Sequence, residues 1–194
     1  MTIDFDTPAD KVMPPASLAH VVLRTAQFPE MNEFYKTFLG AYAVYERENL
    51  SFLTYDEEHH RIALFQVPGT TPKVKKSSGL EHIAFTYKTL DDLALAYRQR
   101  KQKDIIPSWC VNHGPTTSIY YEDPDGNTLE TQVDNFNSPE EATAFMESKE
   151  FLENPFGTDF DPEHLINRLR SGEHHDSIKK RIEIGPRGVP AHAA

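Results

Sequence analysis

A repeated order of elements constrains the fold of this chain more than any other sequence feature. The segments 19–23 and 81–85 are short apolar runs typical of strands, and each contains one histidine. These histidines, His20 and His82, lie 62 residues apart. Because helical spacing and then three further β-prone runs follow each of them, the sequence predicts an internal duplication of the order βαβββ.

Each repeat contains one amphipathic helix. In the first, apolar residues recur every three or four positions from Phe28 to Leu39, and Gly40 follows where a helix favours its C-terminal stop. In the second, Leu90 to Tyr97 has the same spacing. Strands that carry one helix per repeat predict the α+β class.

Composition changes divide the chain into five segments. These are an N-terminal arm (1–15), a first βαβββ module (16–67), a linker (68–79), a second βαβββ module (80–134) and a helical C-terminal extension (135–194). The linker is rich in Pro, Gly, Ser, Thr and Lys. In the extension, helix-start signals at Ser138 and Asp161 predict one helix to about Lys149 and a second one further on. We expect this tail to wrap the core or a second subunit.

Charge and cysteine usage exclude several classes of protein. The 30 acidic residues outnumber the 20 basic ones and give a formal net charge of −10, which repels nucleic acid and anionic membranes. No stretch approaches the roughly 18 apolar residues of a spanning helix. Cys110 is the only cysteine, so an intramolecular disulfide and a thiolate zinc cluster are both impossible. We therefore expect a cytoplasmic protein.

Three residues in apolar strands are candidate metal ligands. An unsatisfied imidazole costs roughly 1–3 kcal/mol inside a core, so His20 and His82 need partners. A hydrogen bond within the core would explain either one alone. Glu130 lies in a third apolar strand, and alternation leaves open whether it faces inward or outward. Two imidazoles and one carboxylate form a facial set that binds iron(II) or manganese(II) and leaves coordination positions open for substrates.

The duplicated modules and three motifs resemble the vicinal oxygen chelate superfamily over about residues 17–134. The motifs are Ala19-His20-Val21-Val22-Leu23, Gly79-Leu80-Glu81-His82-Ile83-Ala84-Phe85 and Tyr120-Tyr121-Glu122-Asp123-Pro124-Asp125-Gly126-Asn127-Thr128-Leu129-Glu130. The resemblance implies that the modules form an incomplete barrel around a metal, whose ligands are His20, His82 and Glu130.

Within the superfamily, the chain is most similar to the type I extradiol catechol dioxygenases, such as those that cleave 2,3-dihydroxybiphenyl. By this resemblance His60 is the active-site base, His113 a second non-ligand histidine and Tyr120 a hydrogen-bond donor to the substrate. The loop 114–117 is about two residues shorter than in the common two-domain form, and the additional N-terminal domain of longer enzymes is missing. The resemblance implies a one-domain homodimer or larger homo-oligomer that uses Fe(II), or Mn(II), with a catechol and O2.

Two other functions within the superfamily remain open. A glyoxalase-type lyase or isomerase usually needs a fourth protein ligand, but the corresponding strand ends at Gln66 without a carboxylate. A non-enzymatic small-molecule-binding protein of the resistance type has no metal site, so the three candidate ligands argue against it. His60 also follows an acidic turn and could be an ordinary exposed residue, and one of Tyr120 and Tyr121 is expected to be simple packing.

Overall fold

Two mixed α+β units follow one another in the computed structural model, which describes residues 6, 8, 10–74 and 77–190. The first unit contains β1 (Val21–Arg24), α1 (Phe28–Leu39), β2 (Tyr42–Arg47), β3 (Leu50–Thr54) and β4 (Ile62–Phe65). The second contains β5 (His82–Thr86), α2 (Leu90–Lys101), β6 (Trp109–Asn112), β7 (Thr116–Glu122) and β8 (Thr128–Asp134). The predicted α+β class and the repeated βαβββ order are confirmed.

Both units build their sheets with the same topology. The first sheet has the order β1-β4-β3-β2, and the second has the order β5-β8-β7-β6 plus one further strand. In each sheet the first and last strands of the module pair in parallel, and the other neighbours pair antiparallel. Over the described residues the two sheets remain separate and no barrel closes. Consequently β1 and β5 are both edge strands.

The first helix forms where the sequence predicts it. Its apolar stripe, which includes Met31, Tyr35 and Phe38, is buried, and Pro29 occupies the first turn, where its missing N–H is not needed. Gly40 adopts a left-handed conformation with φ of 61° and donates its N–H back to the last turn. This conformation suits glycine because it has no Cβ, so the helix ends there.

Contacts across the two modules fix them to each other. The Tyr35 hydroxyl donates to Asp123 Oδ2 at 3.0 Å, which links α1 to the turn between β7 and β8. The buried Arg100 of α2 donates from Nε and Nη2 to the Phe38 carbonyl at 2.9 and 2.7 Å, at the C-terminal end of α1. A cation at this end of a helix is favourable because the helix dipole places partial negative charge there.

The C-terminal extension has more elements than the sequence predicts. It contains α3 (Pro139–Met146), α4 (Lys149–Glu153), β9 (Thr158–Asp159), α5 (Pro162–Arg170) and α6 (His175–Lys179). The helix predicted from Ser138 begins there, but it ends at Met146 and not at about Lys149, and the Ser148 side chain accepts from Phe151 N at the start of a new helix. Strand β9, which pairs with β6 at the edge of the second sheet, was not predicted. Leu165, Ile166 and Ile178 are buried in the core, so the extension wraps the core as expected.

The structure corrects one strand boundary that matters for the site. The sequence predicts a strand from Leu18, with His20 inside it, but β1 begins at Val21 and His20 is exposed. The guanidinium of Arg61 donates to the carbonyls of Leu18 and Ala19 at 3.1 and 3.0 Å. These two carbonyls therefore hydrogen-bond a side chain and not the backbone of a neighbouring strand. The burial cost argued for His20 therefore does not apply.

None of the helices in the described ranges combines the length and the hydropathy that a bilayer crossing requires. The cytoplasmic location stays a prediction.

Candidate active site

Strand register gathers the candidate residues of the second module. Glu130 on β8 stands opposite Ala84 on β5 and opposite Tyr120 on β7. Because side chains two residues apart share one face of a strand, His82 lies on the same face as Ala84 and reaches Glu130. His82 Nε2 is 3.1 Å from Glu130 Oε2. The sequence left the direction of Glu130 open, and in the structure it is 5% exposed.

Hydrogen bonds keep the buried carboxylate charged. Burial alone raises the pKa of Glu130, but hydrogen bonds with His82, Ser118 and Tyr120 outweigh it and lower that pKa below its usual value. The same contact with Glu130 raises the pKa of His82, against the opposing effect of its partial burial. A charged carboxylate beside an imidazole is a ready pair of ligands for a divalent cation.

His113 and Tyr120 extend this cluster. His113 Nε2 is 3.0 Å from the Tyr120 hydroxyl, which in turn hydrogen-bonds Glu130. Burial lowers the pKa of His113 and raises that of Tyr120, so near neutral pH the histidine is uncharged and the tyrosine is protonated. His113 also hydrogen-bonds the backbone of Phe156 in the C-terminal extension. These contacts link His82, Glu130, Tyr120 and His113 to the backbone of Phe156.

A cavity of about 250 Å³ opens beside the cluster. Its lining includes the rings of His82, Trp109, His113, Tyr120 and Phe156. The Trp109 and Tyr120 rings stack, with centroids 5.0 Å apart and an interplanar angle of 25°. Flat aromatic walls favour a flat aromatic ligand.

The candidate residues of the first module form a second cluster. His20 and His60 have ring centroids 4.1 Å apart, and His60 also stacks on Phe52 at 4.9 Å. His60 is 8% exposed, so the alternative of an ordinary exposed turn residue is wrong. Its Nδ1 atom is buried without a hydrogen-bond partner. Burial lowers the pKa of His60, and the neighbouring His20 and His59 lower it further.

The two clusters divide the predicted ligand set. His82 and Glu130 are in contact with each other, while His20 lies with His59 and His60. In the described part of the chain, the group of three potential ligands whose ligand atoms lie within 4.8 Å of one another is His20, His59 and His60, not His20, His82 and Glu130. The chain therefore brings together two of the three predicted ligands.

Some residues around the cavity carried no sequence signal. Phe156 and Arg181 belong to the extension, which the duplication argument does not cover. Arg181 is buried, and its Nη1 donates to the carbonyls of His113 and Asn154 at 3.1 and 2.8 Å. It thus fixes the loop that holds His113. Trp109 also lines the cavity.

Comparison with known proteins defines the class. The family described as the Glyoxalase/Bleomycin resistance protein/Dioxygenase superfamily matches residues 17–131. The chain belongs to this superfamily. Among solved structures, a lactoylglutathione lyase from Agrobacterium tumefaciens has a TM-score of 0.51 and 17% identity, and the alignment covers 62% of this chain and 96% of that one. At this identity the match shows the fold alone.

Relatives of higher identity specify a branch of the superfamily. Biphenyl-2,3-diol 1,2-dioxygenase 2 of Rhodococcus globerulus is 47% identical over 161 residues, which cover 82% of this chain and 85% of the relative. Biphenyl-2,3-diol 1,2-dioxygenase 3 of the same organism is 45% identical over 166 residues, which cover 84% of this chain and 87% of the relative. The similarity extends well beyond the residues that the superfamily match covers.

Proposed function

We propose that this chain is an extradiol ring-cleaving dioxygenase, which inserts both atoms of O2 into a catechol beside its hydroxyl groups. The observation that carries the proposal is the contact of the half-buried His82 with the buried Glu130, beside a cavity with aromatic walls. The similarity to two biphenyl-2,3-diol dioxygenases supports it over the larger part of the chain. The substrate class is a catechol-type aromatic diol.

We propose Fe(II), with Mn(II) as the alternative, as the metal that His20, His82 and Glu130 hold. The donor set fits, because Glu130 stays charged although it is buried, and His82 already contacts it. When bound, the ion supplies open coordination positions at which a catechol and O2 meet.

The residues around the ligands move protons. A catechol must lose protons to chelate a metal through both oxygens, and His60 is the proposed base because burial keeps its imidazole neutral near pH 7. Tyr120 holds a substrate oxygen by a hydrogen bond. The proposed proton donor later in the reaction is His60, which has by then taken up a catechol proton, or His113, whose Nε2 is 3.0 Å from the Tyr120 hydroxyl.

We propose that the working enzyme is a homodimer in which two copies complete each site. His20 of one copy would join His82 and Glu130 of the other, since within one chain the ligand atoms of these three residues do not form a group within 4.8 Å. The sheet face around His20 also carries uncovered apolar side chains: Val22 is 52% and Tyr45 is 39% exposed. Covering such a face would release water from apolar surface.

A glyoxalase-type reaction has less support. The side chain at the end of β4 where such an enzyme needs a fourth ligand is Gln66, and its amide donates to the Ala26 carbonyl at 3.2 Å. That contact gives Gln66 a structural role.

Anaerobic loading with Fe(II), followed by 2,3-dihydroxybiphenyl and air, tests the proposal. We expect O2 uptake equal to the catechol consumed and a yellow ring-opened product. His82→Ala and Glu130→Ala should each lose bound iron after gel filtration, whereas His174→Ala, an exposed histidine outside the site, should keep it. Catechol binding without O2 uptake by the iron-loaded protein would contradict the proposed reaction.

A further inference from the structure

The loop between β3 and β4 places a third imidazole beside His20 and His60. We propose that His20, His59 and His60 form a second divalent-metal site, which takes Zn²⁺, and that zinc at this site inhibits the enzyme by occupying His20. The binding site stands on the geometry of these three residues alone. Only the inhibition rests on the proposed function.

The geometry of the three rings suits zinc. One nitrogen from each ring lies within 4.8 Å of the others. The centroid of the His60 ring is 4.1 Å from the centroid of the His20 ring and 4.4 Å from that of the His59 ring. Three neutral imidazoles are a known ligand set for zinc, and they leave a fourth tetrahedral position for water. All three candidate ligands are imidazoles, whereas the His82–Glu130 pair includes a carboxylate.

An unpartnered buried nitrogen points independently to a ligand. His60 is more than nine-tenths buried, and its Nδ1 has no hydrogen-bond partner. Leaving such an atom unsatisfied costs roughly 1–3 kcal/mol. A cation held by the three rings would give this imidazole a partner.

The acidic residue before His59 orients its ring. Glu58 Oε1 contacts His59 Nδ1, and the His59 side chain is otherwise 70% exposed. A carboxylate that accepts the proton of one ring nitrogen leaves the lone pair of the other, here Nε2, available to a metal. Asp56, Glu57 and Glu58 also add negative charge to the loop, while Arg61 pairs with Asp56. This arrangement attracts divalent cations.

Sharing of His20 explains why zinc at this site would inhibit. An imidazole has one lone pair available to a metal, so His20 cannot bind zinc and complete the catalytic site at the same time. Zinc also binds nitrogen ligands more tightly than Fe(II) does. Occupation of the three-histidine site would therefore leave the His82–Glu130 pair without its third ligand.

Zinc binding is measured first, in a background that lacks the catalytic carboxylate. Glu130→Ala protein is titrated with Zn²⁺ against a chromophoric zinc chelator, beside the double variants Glu130→Ala/His59→Ala and Glu130→Ala/His174→Ala. We expect one zinc per chain in the single variant, at least tenfold weaker binding without His59, and no change without His174. Equal zinc affinity with and without His59 would overturn the site, whatever reaction the enzyme performs.

Inhibition is measured next, on iron-loaded enzyme with intact Glu130. His59→Ala should keep the zinc-free rate and raise the zinc concentration for half-inhibition at least tenfold, and His174→Ala should leave both unchanged. Zinc that binds without slowing the reaction would overturn the inhibition. A protein with no activity even before zinc is added would contradict the proposed function and leave the chelator result to decide the site.

Discussion

At the scale of single residues, burial and hydrogen bonding decide which candidates are chemically useful. Glu130 is buried but stays charged because His82, Ser118 and Tyr120 hydrogen-bond it. Apolar strand context identified Glu130 and His82 as candidates, but it could not say which way Glu130 faces. The same context misjudged His20, which precedes β1 and is exposed.

Replacement of His60 by alanine separates metal binding from proton transfer. We expect His60→Ala to keep its iron and to lose roughly 10²- to 10⁴-fold in kcat, the usual contribution of a general base. Wild-type enzyme should show an acid limb in kcat/KM below pH 6.5, because burial lowers the pKa of His60 from that value and keeps the base neutral down to lower pH. This limb should disappear in the variant. Full turnover by iron-loaded His60→Ala would remove the assignment of the base.

At the scale of elements, strand register does most of the positioning. Alternation along β5 and pairing with β8 place His82 against Glu130, and the amphipathic spacing of α1 was sufficient to predict that helix. Short elements in the extension were harder to predict from the sequence, because β9 has two residues and is a strand only through its pairing with β6. The contact between Phe156 and His113 was unpredictable for the same reason, since it depends on where β9 docks.

Gly157 tests this docking. Its φ is +84°, and an added Cβ would lie 2.2 Å from the Asn112 carbonyl oxygen and 2.7 Å from His113 Cα. We expect Gly157→Ala to destabilise the protein by about 2–5 kcal/mol, since a left-handed backbone and a steric clash both contribute. Gly172→Ala is the matched control, because its φ is +78° with nothing within 4 Å of the added Cβ. Equal urea midpoints for the two variants would show that the extension does not pack as described.

Glu163 tests how α5 attaches to α2. Its carboxylate contacts Lys101 Nζ at 2.6 Å and Arg98 Nη1 at 2.8 Å and accepts from the Tyr97 hydroxyl, and these contacts lower its pKa to about 2. A lowered pKa means that the ionised group stabilises the fold above pH 4.5 and that this contribution is lost as the pH falls toward 2.

We therefore expect Glu163→Gln to melt at a lower temperature than the wild type at pH 7 and at the same temperature near pH 2. Glu48→Gln, in an exposed turn, serves as the control and should follow the wild type throughout. If the melting temperature of Glu163→Gln stays equally far below that of the wild type at low pH, the ionised carboxylate is not the cause of the difference.

At the scale of the whole molecule, the sequence predicted the duplication but not how its halves are placed. The two modules have the same order of their own four strands, and contacts such as Tyr35 to Asp123 join them, but the ligand atoms of His20, His82 and Glu130 do not form a group within 4.8 Å. No local pattern encodes this arrangement, because it depends on packing between α1 and the second module.

Mixed dimers test whether two chains share a site. His20→Ala and Glu130→Ala should each be inactive alone. When equal amounts are unfolded together and refolded, half of the dimers are mixed, and each mixed dimer has one intact site, so about a quarter of wild-type activity should return. Recovery should be absent when either variant is refolded with itself. If both variants together stay inactive while the wild type refolds to full activity, each site lies within one chain.

The isotope content of the product tests the central claim most directly. The iron-loaded enzyme is given 2,3-dihydroxybiphenyl under ¹⁸O2, and the product is analysed by mass spectrometry before its carbonyl exchanges with water. Extradiol cleavage predicts one label in the new carboxylate and one in the new carbonyl, with the ring opened beside the diol. A product with no label, or one opened between the two hydroxyl-bearing carbons, would contradict it.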